Sequence, residues 1–246
     1  MDEAMFKKRS AKNTRRSSVH LNEERDMQRV DESVRQLVHE VIDGNMFKYA
    51  FQPIVDARTG EIYAYEALMR TNTQPMLSPL AVLKYATLDK KLYDIERATL
   101  NNVFAILKKK KDELEDKKIF INSIPGYHLD ETDFAKLKRR YKDLFDRVVI
   151  EITEQTEMED EGVAVLKRRS SDVGFEVAID DFGSGYSNTS SLLRFLPHYV
   201  KIDRMLITGI HEDTKRQHFV KNIIDFAHDN GFMALAEGVE TSEELT

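Results

Sequence analysis

Short apolar runs alternate along this chain with longer segments whose apolar residues recur every three or four positions. The first helical segment covers residues 21–42 and ends at Gly44. Short, largely apolar runs predict strands at residues 50–55, 62–69, 119–121, 148–152, 177–179, 199–202 and 233–236. Between these runs, one helix is predicted to start at residue 78. Helical spacing predicts four more, which cover about residues 93–111, 134–145, 162–173 and 218–230.

The order of these elements predicts the fold class. Strands that alternate with helices of this length form a parallel sheet, and seven strands in about 200 residues favour an α/β fold, a TIM-like (β/α) barrel. Pro53 lies in the first predicted strand and indicates incomplete pairing there. The sequence stops at Thr246, where another helix begins, so we expect the barrel to lack its eighth strand and last helix and to expose two strand edges.

Composition narrows the classes of function. The net charge of −6 argues against a general affinity for nucleic acid polymers or anionic membranes. No apolar run approaches 18 residues and no secretory signal is seen, so no membrane span is expected in this chain. The absence of cysteine excludes disulfides, thiolate zinc sites and thiol nucleophiles, and it is compatible with the cytoplasmic location that we expect.

The chain divides into three predicted regions. Residues 1–20 are locally basic and resemble a flexible linker more than a nucleic-acid-binding tail. Residues 21–44 form an N-terminal helix, which either packs on the main domain or pairs with a second copy as a signalling helix. Residues 45–246 form the main domain.

Polar residues occupy the ends of successive predicted strands. In a parallel barrel these ends share one face, where active sites lie. So many carboxylates would be costly to bury without a metal or a substrate, and an all-oxygen donor set selects Mg²⁺ or Mn²⁺ over Zn²⁺. The number of carboxylates suggests two ions, which would activate a water on a phosphodiester. The residues are Glu66, Asn122, Glu151, Asp180, Asp181, Lys201 and Glu237.

The adjacent carboxylates of Asp180 and Asp181 have two interpretations. They repel each other unless a cation lies between them, which favours a divalent metal. Alternatively, they cap the helix that follows. Gly183 and Gly185 come directly after the pair and predict a sharp loop.

Seven short motifs are distributed over roughly residues 34–246. They are Phe51-Gln-Pro-Ile54, Glu66-Ala-Leu-Met-Arg70, Ile121-Asn122, Glu151-Ile-Thr-Glu154, Asp180-Asp-Phe-Gly-Ser-Gly-Tyr-Ser187, Lys201-Ile-Asp203 and Ala236-Glu-Gly-Val-Glu-Thr241. In this order and spacing they resemble the motifs of EAL-domain phosphodiesterases, which hydrolyse the bacterial second messenger cyclic di-GMP. The resemblance also implies a first strand antiparallel to the others.

The resemblance implies roles for the polar cluster. Glu66, Asn122, Glu151 and Asp180 would hold a first ion. Asp180 would bridge to a second ion held by Asp181 and Glu237. Lys201 would orient the attacking water, which opens the ring to linear pGpG. Glu66, Lys201 and Glu237 would thus be the catalytic residues, with Glu237 acting as a ligand, a base or both.

The resemblance also implies residues that bind substrate or support a loop. Arg70 would hold a phosphate, for which its planar guanidinium is suited, although a surface salt bridge is the alternative. Gln52 would line a guanine pocket. Glu240 would support the loop of residues 182–186, which is linked to dimerisation in this family, so a homodimer is expected. The alternative for Glu240 is a carboxylate at a helix N-terminus.

Some features depart from the family pattern. Ser184 and Asn188 replace common Thr and Ser residues, and neither change should stop catalysis. The family continues into a strand with a Gln-Gly motif that is not present here. Because the residues that would bind metal are all present, an enzyme is the first hypothesis, with activity that truncation could impair. A non-catalytic cyclic di-GMP receptor is the second, and a Mg²⁺ phosphohydrolase with another substrate is the third.

The start of the chain carries a shorter similarity. Residues 2–13 resemble the end of a GGDEF, or diguanylate cyclase, domain, in which a last helix leads into a basic segment. This resemblance implies an upstream GGDEF or sensor domain in a longer protein.

Overall fold

The computed structural model describes residues 31–114, 116–153, 160–183 and 189–245. The strands are β1 (Phe47–Val55), β2 (Ile62–Thr71), β3 (Lys118–Asn122), β4 (Val148–Thr153), β5 (Glu176–Phe182), β6 (Tyr199–Ile202) and β7 (Met233–Ala236). The α-helices are α1 (Glu32–Asp43), α2 (Pro79–Leu88), α3 (Leu92–Lys109), α4 (Glu131–Tyr141), α5 (Asp160–Val173), α6 (Thr189–Phe195), α7 (Arg204–Ile207), α8 (Thr214–Asp229) and α9 (Ser242–Leu245). Two 3₁₀-helices cover Lys142–Arg147 and Ile210–Glu212.

All seven described strands form one sheet in chain order, β1 to β7. β1 is antiparallel to β2, and every later neighbouring pair is parallel. Pro53 lies in β1, which pairs only with β2 within the described ranges, and proline is tolerated on a strand that is paired on one side. The predicted α/β sheet with an antiparallel first strand is confirmed.

The sheet is curled like part of a barrel wall. In a flat sheet, β2 and β6 would lie about 19 Å apart, because neighbouring strands are separated by about 4.8 Å. Instead, the hydroxyl groups of Tyr63 on β2 and Tyr199 on β6 are 2.8 Å apart. This contact across the interior supports the prediction of a TIM-like barrel, here with seven strands.

The concave side of the sheet carries two layers of side chains. The lower layer is an apolar cluster of Ala64, Phe120, Val149, Ala178 and Tyr199, one from each strand from β2 to β6. Side chains two positions apart on a strand point to the same face. The residues two positions further along are Glu66, Asn122, Glu151, Asp180 and Lys201, so the polar residues form a second layer directly above the apolar one.

The N-terminal helix α1 packs against the main sheet-and-helix unit. Val38 and Val41 are fully buried in a cluster with residues of α2 and α3. Asp89, just after α2, accepts hydrogen bonds from Arg35 and lies 2.7 Å from His39 Nε2. Residues 1–30 lie outside the described residues. The basic linker, the similarity to a GGDEF domain and the first part of the predicted helix therefore stay predictions, as does the pairing of this helix with a second copy.

β5 differs from its prediction in a way that matters for the site. The sequence placed the two aspartates at the end of an apolar run of residues 177–179, and β5 continues one residue beyond them to Phe182. Its pairing with β6 is interrupted between Ile179 and Phe182, and Asp181 has a φ of 56°. This irregularity is a bulge of the kind that redirects side chains beside active sites.

Candidate functional site

The predicted polar residues meet at the carboxyl ends of the strands. Glu66, Glu151, Asp180 and Lys201 lie within β2, β4, β5 and β6, Asn122 is the last residue of β3, and Glu237 follows β7. Because β2 to β7 are parallel, their carboxyl ends lie together at one end of the curled sheet.

The ammonium group of Lys201 lies at the centre of this cluster. Its Nζ atom is 2.7 Å from Glu151 Oε1 and 2.8 Å from both Asp180 Oδ1 and Glu237 Oε1. Glu66 Oε2 is 3.7 Å away. The Lys201 side chain is only 4% exposed, so these contacts are little screened by water. Burial alone lowers the pKa of Lys201, but the surrounding carboxylates outweigh it and raise that pKa, so the side chain is a cation.

Glu151 is the most deeply placed carboxylate of the cluster. Its side chain is 1% exposed. Burial, followed by repulsion from Glu66 and Asp180, raises the pKa of Glu151 well above its usual range despite the attraction of Lys201. Its Oε2 atom has no hydrogen-bond partner among the described residues, and Oε1 meets Lys201 at ion-pair distance without the alignment of a hydrogen bond. Such unsatisfied buried oxygens need an explanation.

A single hydrogen bond orients Asn122 within the site. Its amide Nδ2 donates to Glu66 Oε1 over 2.8 Å. The bond joins the ends of β2 and β3 and leaves the Asn122 carbonyl oxygen available to a ligand.

The carboxylates of Asp180, Asp181 and Glu237 form a compact group. One oxygen from each lies within 4.8 Å of the other two. Successive side chains of a regular strand point to opposite faces, but the left-handed backbone at Asp181 turns its carboxylate to the same side as that of Asp180. Burial, and then repulsion from Asp180 and Asp203, raises the pKa of Asp181, while burial is the main cause that raises the pKa of Glu237.

The donor set fits hard divalent cations. Five carboxylates and one amide oxygen face a single ammonium group, so the cluster has an excess of negative charge. The unpartnered oxygen of Glu151 lies in the same cluster. Carboxylate and amide oxygens are the ligands that Mg²⁺ and Mn²⁺ prefer.

Gln52 and Arg70 lie beside this cluster on the first two strands. Gln52 is directly opposite Glu66 in the β1–β2 pair, so the two side chains share a face. Arg70 is four residues beyond Glu66, about 13 Å along β2. Arg70 Nη1 donates to the Met69 carbonyl over 2.8 Å, and the described residues offer it no ion pair, so the alternative of a surface salt bridge is not formed there.

The turn after β7 fixes the position of Glu237. Glu237 N donates to the Ile202 carbonyl over 3.0 Å, which continues the pairing with β6. Thr241 and Glu244 form a capping box at the start of α9, and Glu244 also accepts from Gly209 N over 2.7 Å. Gly238 has a φ of 65°, and a Cβ there would lie 2.7 Å from Arg204 Cβ, so a side chain is excluded.

The predicted role of Glu240 stays a prediction. Its side chain is 73% exposed, and its carboxylate lies 4.0 Å from Arg204 Nη2. Residues 184–188 of the loop that it would support lie outside the described residues, as does Glu154 of the fourth motif.

Sequence reasoning missed three residues that shape the site. Asp203, noted only as part of a motif, caps α7 through Met205 N and lies close enough to Asp181 to affect its pKa. Glu244 holds the turn after Glu237, as described above. Glu96 on α3 holds the turn after Asn122 by hydrogen bonds from Ser123 and Ile124. A carboxylate on the apolar face of the α3 helix was the available signal for Glu96.

Comparison with known proteins identifies the class that this fold and site define. The family model of the EAL domain matches residues 33–246, so the chain belongs to the EAL domain family.

Two curated relatives from Escherichia coli K12 illustrate the range of that family. The chain is 27% identical over 213 residues to "Cyclic di-GMP phosphodiesterase PdeR", and the aligned region covers 84% of this chain and 32% of PdeR. It is 31% identical over 202 residues to "Blue light- and temperature-regulated antirepressor BluF", and this aligned region covers 80% of this chain and 49% of BluF. The chain thus spans between about a third and a half of the length of these relatives.

Solved structures show the same similarity. BlrP1 of Klebsiella pneumoniae, in a complex with calcium and cyclic di-GMP, is 29% identical with a TM-score of 0.72, over 82% of this chain and 51% of BlrP1. A standalone EAL protein of Vibrio cholerae O395 in its cyclic di-GMP-bound form is 31% identical with a TM-score of 0.66, over 80% and 83% of the two chains. Among the described helices of this chain, none combines the length and apolar character that crossing a bilayer requires.

The central position of Lys201 leads to a prediction about stability without metal. The substitution Lys201→Met should lower the free energy of unfolding by about 3–5 kcal/mol in EDTA at pH 8, because it leaves buried carboxylates without their cation. The loss should become smaller as the pH is lowered, because protonation neutralises carboxylates whose pKa values burial raises. Urea denaturation measures both values, with the exposed Lys48→Met on β1 as control. Equal stability of Lys201→Met and the parent would contradict the charge balance described above.

Glu96 leads to a prediction about pH. Burial raises the pKa of Glu96 to about 7, from an ordinary 4.5. Between these values the folded chain keeps a proton that the unfolded chain releases, so the free energy of unfolding should fall as pH rises. Relative to Glu96→Gln, which does not titrate, the parent should lose about 3 kcal/mol of stability across this range. A difference that stays constant with pH would mean that Glu96 is not buried in this way.

Proposed function

We propose that this chain is a metal-dependent phosphodiesterase that hydrolyses cyclic di-GMP to linear pGpG. The observation that carries the proposal is the cluster of five carboxylates and one amide around Lys201, at the carboxyl ends of the strands of an EAL domain. Relatives named as cyclic di-GMP phosphodiesterases and structures named as cyclic di-GMP complexes support the substrate.

The residues divide into two ligand sets for divalent ions. Glu66, Asn122, Glu151 and Asp180 would hold one ion, and Asp180, Asp181 and Glu237 would hold a second. Complexes of BlrP1 with calcium and with manganese support a hard cation, and Mg²⁺ or Mn²⁺ is the proposed choice here. Two such ions, when bound, supply an activated water and stabilise the charge that develops on the phosphodiester.

Lys201 acts as a hydrogen-bond donor in this scheme. Its raised pKa keeps it protonated, so it orients the attacking water and cannot serve as the base. Glu237 lies 2.8 Å from Lys201 Nζ, and burial raises its pKa, so its ionised carboxylate is a stronger base that is suited to accept the proton that the water releases. Attack by the water oxygen on phosphorus would break one phosphorus–oxygen ester bond, and the proton that Glu237 accepts from the water balances the proton that the leaving oxygen takes up.

Gln52 and Arg70 would bind the parts of the substrate that do not react. The guanidinium group of Arg70 lies on the same face as Glu66, at a distance along β2 that suits a phosphate remote from the metal site. Gln52 lies opposite Glu66 and offers an amide for the edge of a guanine.

The second candidate is a cyclic di-GMP receptor without turnover. It is favoured by one observation, since BluF is similar over 80% of this chain and is named as an antirepressor. The complete set of ligand residues favours the enzyme. A homodimer, an upstream GGDEF or sensor domain and a cytoplasmic location remain predictions from the resemblance and the composition.

Product analysis tests the proposal directly. Purified chain, cyclic di-GMP and Mg²⁺ or Mn²⁺ are incubated, and the nucleotides are separated by chromatography. We expect linear pGpG, and its formation should stop in EDTA. Glu66→Ala should reduce the rate at least about 100-fold, because it removes a proposed ligand. Glu61→Ala, which changes an exposed residue just before β2, serves as the matched control.

The outcomes separate the candidates. Binding of cyclic di-GMP by calorimetry without product, in the presence of metal, would favour the receptor. Neither binding nor product would reject both. Full activity of Glu66→Ala would contradict the ligand assignment even if the parent chain makes pGpG.

A further inference from the structure

Glu96 is a buried carboxylate that the proposed chemistry does not use. It lies on α3, outside the curled sheet, and it is 3% exposed. Among the described residues no cation lies within ion-pair distance of it. A lone buried carboxylate is costly, and an apolar residue would be expected at this position of the helix unless its hydrogen bonds are needed.

Both oxygens of Glu96 accept hydrogen bonds from one turn. The hydroxyl of Ser123 donates to Oε1 over 2.8 Å, and the backbone amide of Ile124 donates to Oε2 over 3.0 Å. These two residues come directly after Asn122, where the chain leaves β3. The carboxylate therefore ties the outer helix to the residues that end the strand.

Two backbone hydrogen bonds among the described residues also constrain the turn, and one of them, from Tyr127 N to the Ile124 carbonyl over 3.0 Å, lies within the turn itself. Ser123 N donates to the Glu151 carbonyl over 3.0 Å, which is the last contact of β3 with β4. Beyond it, Ile124 and Tyr127 are only partly buried against the cluster of α1, α2 and α3. Among the described residues, Glu66 is the hydrogen-bond partner that holds the Asn122 side chain in the site. The direction of this side chain thus also depends on how the backbone of the turn is fixed.

We infer that Glu96 is a positioning residue for Asn122. Its two hydrogen bonds hold the turn so that the Asn122 carbonyl oxygen faces the divalent-ion site. The inference rests on the proposed function, since it assumes that Asn122 is a metal ligand. It assigns the effect to hydrogen bonding, so an uncharged residue that keeps both bonds should suffice.

Manganese binding to the metal-free chain tests this inference without turnover. Free Mn²⁺ is measured by electron paramagnetic resonance during titration of the EDTA-treated and dialysed chain. Glu96→Met keeps the length of the side chain but removes both acceptors, and it should weaken the tighter Mn²⁺ site by about 10-fold or more, as residues that orient ligands generally do. Ser123→Ala removes one bond and should have a smaller effect in the same direction.

Two further variants separate positioning from general damage. Glu96→Gln can accept from Ile124 N and donate to Ser123 Oγ, so its Mn²⁺ affinity should stay within about threefold of the parent. Thr99→Val removes another polar group of α3, whose hydroxyl accepts a hydrogen bond from Tyr49 over 3.2 Å, and it should bind Mn²⁺ like the parent. Thermal melts confirm that each variant is folded, and Ser123→Ala replaces Glu96→Met if the latter is not.

A double-mutant cycle with Asn122→Ala supplies the decisive comparison. If Glu96 acts through Asn122, Glu96→Met or Ser123→Ala should cause little further loss of Mn²⁺ affinity in the Asn122→Ala background. The same loss in both backgrounds would overturn the inference. Unchanged Mn²⁺ affinity in folded Glu96→Met and Ser123→Ala would also overturn it, while leaving the proposed function intact. A parent chain that neither binds Mn²⁺ nor forms pGpG would overturn both.

Discussion

The concentration of negative charge around one ammonium group is the constraint on which the rest of this structure depends. Glu151, Asp180 and Glu237 each approach Lys201 Nζ within 2.8 Å, in a place where little water screens them. One cation cannot neutralise five carboxylates, so the metal-free site keeps protons on groups such as Glu151. This imbalance makes the cluster costly as a core element and suitable as a cation site. The proposed ion binding would account for a cluster that is otherwise so costly to bury.

The two-layer interior of the curled sheet makes this arrangement stable enough to exist. The apolar layer below, with Phe120 and Tyr199 in edge-to-face contact, buries large side chains and closes the floor of the site. Every strand from β2 to β6 contributes one residue to this layer and one to the polar layer above it. The alternation of a β-strand therefore places hydrophobic stabilisation and charged chemistry side by side on the same strands. A shift of one residue in any strand would exchange the two faces and lose both.

Much of the site could be predicted because its residues follow strand ends, where the parallel order alone brings them together. The strands were predicted from short, largely apolar runs, and Glu66, Glu151 and Lys201 lie where that order places them. Asp181 shows the limit of this reasoning, since alternation would send it away from Asp180 and only a bulge with a positive φ returns it. Glu96 shows another limit, because its partners lie 27 and 28 residues later and α3 itself gives no hint of them. The short helix α7 was missed because four residues carry too little periodicity.

The placement of the residues also bears on the choice between an enzyme and a receptor. Gln52 and Arg70 lie on β1 and β2, whereas four of the six proposed metal ligands lie on β3 to β5 and one follows β7. In the proposed scheme, substrate recognition and ion binding therefore depend largely on different strands, and Glu66 on β2 is the proposed ligand that lies beside both proposed substrate-binding residues. A protein that only needed to bind the nucleotide could lose Glu151, Asp181 or Lys201 without losing Gln52 or Arg70, and burying Glu151 without a cation would then be a cost without a benefit. The presence of the buried carboxylates together with Lys201 therefore supports the proposed hydrolysis over the proposal of binding alone.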